Sequence, residues 1–108
     1  MKTLENGQNL TNLISASKVL LIHFGSGSCG PCAALKEKID LWSARDNGVD
    51  SVYIPIEHFP QVAASRGIFT VPTILVYTEG KLSIRESGCF SLDGIFSRIE
   101  RYLSLMDA

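Results

Sequence analysis

Leu10, Leu13 and Ile14 recur at helical spacing with Thr11 and Asn12 turned outward, so residues 9–15 read as a short helix. Residues 18–24 then form a continuous apolar run containing Val19, Leu20, Leu21 and Ile22, closed by Gly25-Ser26-Gly27-Ser28. That pattern predicts a strand buried on both faces, followed by a flexible turn. From Cys32 onward Leu35, Ile39 and Trp42 recur at i, i+4, i+7, while Lys36, Glu37 and Lys38 are expected to face water. This predicts a helix of about four turns ending near Asn47-Gly48 with a glycine stop. Val52, Ile54 and Ile56 alternate within residues 49–57, a second inner strand.

A short helix is expected over residues 60–66, with Gly67 as its stop. Residues 73–78 are apolar and β-rich. Glu79-Gly80 makes a tight turn into residues 81–86, an antiparallel partner whose composition suits a sheet edge. Ser91 is a good N-cap for a last helix that buries Ile95, Phe96, Ile99, Tyr102 and Leu103. Strands alternating with helices, then a hairpin and a closing helix, give an α/β class with a mixed central sheet and helices on both faces. The 108 residues are expected to make one domain.

Composition narrows what such a domain does. The formal net charge is −1 and the basic residues are scattered, so a nucleic-acid partner is not expected. No apolar run approaches the length of a membrane span, and residues 1–7 lack the apolar core of a signal peptide. Three cysteines, two of them three positions apart, do not resemble the framework of a secreted mini-protein. A reducing, cytoplasmic setting is therefore the default expectation.

The chemistry lies at the first strand-to-helix junction, in Cys29-Gly30-Pro31-Cys32. A cysteine at a helix N-terminus faces unpaired N–H groups and the positive end of the helix dipole, which favour thiolate over thiol. Cys29 is thus the expected nucleophile, and Cys32, one turn further in, the resolving thiol. Gly30 and Pro31 keep the intervening turn tight. A zinc half-site and a pair of inert core thiols are the other readings. Zinc needs further ligands, and His23, His58 and Cys89 are isolated in sequence.

The tetrapeptide is identical to the active-site sequence of thioredoxins, and its place between strand and helix matches that family. Val71-Pro72-Thr73 resembles the family's cis-proline segment; Gly67-Ile68 and Gly80-Lys81 also fit. The resemblance spans nearly the whole chain, including a short first strand near residues 2–4. It implies the thioredoxin fold and the reduction of protein disulfides by dithiol exchange, with no bound cofactor and no metal. Disulfide-containing proteins are the implied substrates and a thioredoxin-reductase-type donor the implied source of electrons, in a family that is mostly monomeric. Pro72 is expected to be cis and to set the Val71 backbone beside the cysteines, where an extended substrate strand can pair with it.

Three departures stand out. Ser28 replaces the usual Trp before the first cysteine and reads mainly as a turn residue. His23 stands where the family has a buried aspartate, with a proton-transfer role and a plain core role equally open. That aspartate's basic partner falls near Tyr53, so the usual buried ion pair is not expected. Glu37 replaces a helix-kinking proline, and a straighter helix should follow. Cys89, after a glycine matching one beside the substrate groove, is expected to pack beneath the terminal helix, with exposure on the active face as the other outcome. A binding module of the same fold, or a dedicated reductant of one partner, is the alternative to a general reductase.

Overall fold

The computed structural model describes residues 1–45 and 47–106. Along them run β1 (Lys2–Thr3), α1 (Leu10–Ala16), β2 (Val19–Gly25), α2 (Gly30–Ser43), β3 (Val49–Pro55), α3 (Pro60–Ser65), β4 (Thr73–Thr78), β5 (Lys81–Ser87) and α4 (Leu92–Met106). The strands form a sheet in the order β1-β3-β2-β4-β5. β1 and β2 pair with β3 in parallel, whereas β4 lies antiparallel to β2 and β5. This is the mixed sheet expected from the pattern, with β5 at the edge.

β2 is central, and all seven of its residues are buried because helices cover both sides of the sheet. Its alternation divides the core. Leu20, Ile22 and Phe24 join Leu10 and Ile14 of α1 and Ala63 of α3 on one face. Val19 and Leu21 join Ile39 and Trp42 of α2 and Ile95, Phe96 and Ile99 of α4 on the other. Trp42 and Phe96 stack there with ring centroids 4.1 Å apart, tying the two helices together. Period-two geometry sends His23 to this same face, beneath α2.

Several expectations need correction. α2 ends at Ser43 rather than near Asn47-Gly48. The Asn47 side-chain amide donates to the Trp42 carbonyl, and its oxygen accepts from the Val49 N–H, so the segment serves as a polar stop and a lead into β3. Lys36 does not simply face water: its Nζ lies over the Tyr53 ring, 4.7 Å from the centroid. The second strand ends at Pro55, which leaves Ile56 in the following turn, half-buried. α2 runs without interruption through Glu37.

Candidate functional site

The turn before α2 is held from several sides. The Cys29 N–H donates to the Ser26 carbonyl at 3.3 Å, and the Cys32 N–H donates to the Cys29 carbonyl at 3.3 Å. Ser26 and Ser28 hydroxyls meet at 3.2 Å across the turn, so Ser28 takes part in its hydrogen bonding. A Glu57 carboxylate oxygen accepts from the Gly27 N–H at 2.7 Å. That bond holds the Glu57 carboxyl below the usual carboxylate range.

Cys29 is the N-cap of α2, with Pro31 in the first turn, where a missing N–H costs no helix bond. Cys29 and Cys32 are joined in a disulfide. Cys29 is half-buried at the surface, whereas Cys32 is 2% exposed, so the two sulfurs differ in access as the sequence implied. An incoming thiol or disulfide meets Cys29 first. Helix N–H groups and the α2 dipole then favour its anion.

Pro72 follows a cis peptide bond from Val71, as the resemblance implied. Its carbonyl accepts from the Gly88 N–H at 3.0 Å, and the Thr73 hydroxyl donates to the Thr70 carbonyl at 2.7 Å while meeting the Ser87 hydroxyl at 2.9 Å. These bonds fix the loop against the end of β5. Among the described residues no backbone hydrogen bond engages the Val71 N–H or carbonyl. An open depression beside the disulfide is bordered by Pro31, Leu35, Lys38, Pro72, Cys89 and Phe90.

Cys89 is therefore not packed beneath the terminal helix; it is exposed on this face. Gly88, at φ +75°, turns the chain out of β5, and Leu92, Ile95, Phe96 and Ile99 fill the helix's buried positions instead.

His23 is fully buried, in register with Tyr53 on β3, and the two rings meet edge-on at 5.0 Å between centroids. Neither ring nitrogen has a hydrogen-bond partner among the described residues. Burial, reinforced by the Lys36 charge and opposed by Asp40, lowers its pKa from 6.5 to about 4. The imidazole is accordingly neutral at pH 7, well away from the near-neutral poise expected of it. His58 is exposed in the turn after β3. Among the described residues no three His, Cys, Asp or Glu side chains converge to hold a metal ion.

Tyr53, Lys36, Glu57 and Gly25 complete the site, and sequence reading passed over all but Tyr53. Gly25 was legible only as a turn residue, yet its missing side chain is a packing requirement. A Cβ there would lie 2.8 Å from both Cε1 and the hydroxyl oxygen of Tyr53, and 3.1 Å from Cys32 Sγ. Gly25→Ala is expected to destabilise the protein by about 1–3 kcal/mol, through overpacking against the ring and the buried sulfur. Urea denaturation checks this, and an unchanged midpoint would show that the ring moves aside freely.

Comparison with known proteins was consistent with this geometry. The thioredoxin family model matches residues 2–101. Thioredoxin-2 of Pyricularia oryzae is 30% identical over 78 residues, covering 72% of this chain and 46% of the relative. The chain spans about half the length of the curated relatives it matches first. A thioredoxin mutant from Halobacterium salinarum superposes with a TM-score of 0.83 at 22% identity, covering 94% of this chain and 89% of that one. A structure concerned with thiol resolution in yeast mitochondrial 1-Cys peroxiredoxin via glutathione/thioredoxin systems superposes with a TM-score of 0.82 at 21% identity, covering 94% of each chain.

Proposed function

The chain belongs to the thioredoxin family, and from that premise we propose that it is a thiol–disulfide oxidoreductase that reduces protein disulfides. The observation that carries this reading is the Cys29–Cys32 disulfide at the N-terminus of α2, with one sulfur accessible and the other 2% exposed.

The Cys29 thiolate attacks one sulfur of a substrate disulfide. The substrate S–S bond breaks, its leaving sulfur takes a proton, and a mixed disulfide with Cys29 forms. Cys32 then attacks Cys29 Sγ, expels the second substrate sulfur as a thiolate and closes the Cys29–Cys32 bond. Two electrons have passed to the substrate, and a thioredoxin-reductase-type dithiol donor restores the pair. An extended substrate segment pairs with the Val71 backbone, in the edge-pairing mode that such a loop supports. Phe69, 79% exposed on the same loop, offers that segment an apolar contact of the kind Ser28 does not. Peroxiredoxin-type disulfides are reasonable substrates, given the system in which one structural relative was described. A reducing cytoplasm suits a dithiol that must be kept reduced, and a monomer leaves the groove open.

The test is turnover of a disulfide-bonded protein with a dithiol donor, together with the reduction potential of the pair. Catalysis and a potential at or below the glutathione poise, about −220 to −260 mV, are expected. A potential near −120 mV, that of a periplasmic oxidant, would reverse the direction of electron flow.

A further inference from the structure

A buried resolving cysteine has to shed a proton before it can attack, and its thiolate has to be held in a place that water scarcely reaches. Cys32 is 2% exposed, which makes both requirements acute here. The His23 imidazole, which meets the Tyr53 ring, is poorly suited to either. His23 is fully buried, has no hydrogen-bond partner at either nitrogen among the described residues, and feels the Lys36 charge.

Tyr53 is better placed. Its hydroxyl oxygen and Cys32 Sγ border the same point above Gly25, at 2.8 Å and 3.1 Å from where a Cβ would stand. Cys32 is 2% exposed, whereas Tyr53 is half-buried. The charged and titratable groups around it come from every neighbouring element. His23 of β2 meets the ring edge-on, Lys36 of α2 lies over its face, and Glu57 acts from the turn after β3. Asp40 lies further along the same helix and acts on His23. Burial and Glu57 raise the Tyr53 pKa, which keeps the phenol protonated and able to donate.

We propose that Tyr53 is the hydrogen-bond donor that holds the Cys32 thiolate and relays its proton between the buried sulfur and solvent. In the resolving step Cys32–SH gives its proton to the phenol oxygen as the phenol's own proton leaves. The sulfur attacks Cys29, the Cys29–substrate bond breaks, and the departing substrate thiolate takes up a proton. Protons and electrons balance with no further reactant. The inference deepens the function proposed above and rests on it for the resolving step.

Titrating the Cys32 thiol in a Cys29→Ser protein, with and without Tyr53→Phe, tests it. The phenylalanine keeps the ring against His23 and Lys36 and removes one oxygen. Loss of a hydrogen bond to a charged group should raise the Cys32 midpoint by about one to two pH units. The pH profile for release of a mixed disulfide from Cys29 should move up equally, while its formation in a Cys32→Ser protein stays unchanged. A midpoint unmoved by Tyr53→Phe overturns the proposal, as does an equal shift from His23→Gln. The thiol titration needs no substrate, so it reads Tyr53 even where disulfide turnover is absent, and the two readings fail separately.

Discussion

Cys29→Ser is expected to reduce disulfide turnover to the uncatalysed background, whereas Cys32→Ser should stop after half a cycle with substrate covalently attached. The contrast follows from access and position. Cys29 caps α2 at the surface and is the sulfur an incoming disulfide meets, while Cys32 is closed in beneath it. A serine hydroxyl at position 29 has essentially no anion at neutral pH, so the first bond exchange has no nucleophile. With Cys32 replaced, the first exchange proceeds and the mixed disulfide has no internal thiol to release it. Mass spectrometry should then find one substrate adduct, located by peptide mapping at Cys29 and removed by added dithiol. Mapping matters because Cys89 is also exposed and borders the same depression. Adducts that form equally well in the Cys29→Ser protein at Cys32 would reverse the assigned order of attack.

The parts of this site that residue pattern alone made legible are those whose residues are neighbours in the chain, the cis Val71-Pro72 bond having come from the family resemblance. Cys29 and Cys32 fall on one helix turn, and the preceding apolar run fixes that helix at the end of a central strand. The Glu79-Gly80 hairpin was readable for the same local reason; both residues adopt the positive φ that a tight turn requires. Around Cys32, His23 and Tyr53 were legible only through the family resemblance, and Gly25 and Lys36 were not, because strand register assembles these surroundings. Parallel pairing sets His23 opposite Tyr53 and Gly25 opposite Pro55, thirty residues away. Only that register brings the phenol over Gly25 and lets Lys36 reach its ring. Lys36 looked solvated because a single-helix pattern does not show that a half-buried aromatic lies alongside to take the lysine's stem and charge. Cys89 was misplaced for the opposite reason. The general burial preference of cysteine was set against one local glycine, and at Gly88 the glycine decided the path.

Acidification should destabilise this protein through His23, by an amount on the order of 3 kcal/mol between neutral pH and pH 4. The unfolded chain protonates this histidine below about 6.5, whereas the folded protein resists until about 4. Between those values the unfolded state binds more protons, so stability rises with pH. The contribution of the neutral imidazole is complete above 6.5 and is lost as pH falls towards 4. Its cause is burial first, with the Lys36 charge adding and Asp40 opposing. Urea denaturation across this range should show the decline in the native protein and a flatter profile in His23→Leu. That variant also removes two buried nitrogens that have no partner among the described residues, so it should be at least as stable as the native protein at neutral pH. Direct observation of the imidazole ring by NMR is independent of how the variant folds, and a ring that protonates near 6.5 in the native protein would overturn the prediction. An undiminished acid decline in His23→Leu would instead move the cause to other groups, leaving His23 as a core residue that folding merely tolerates.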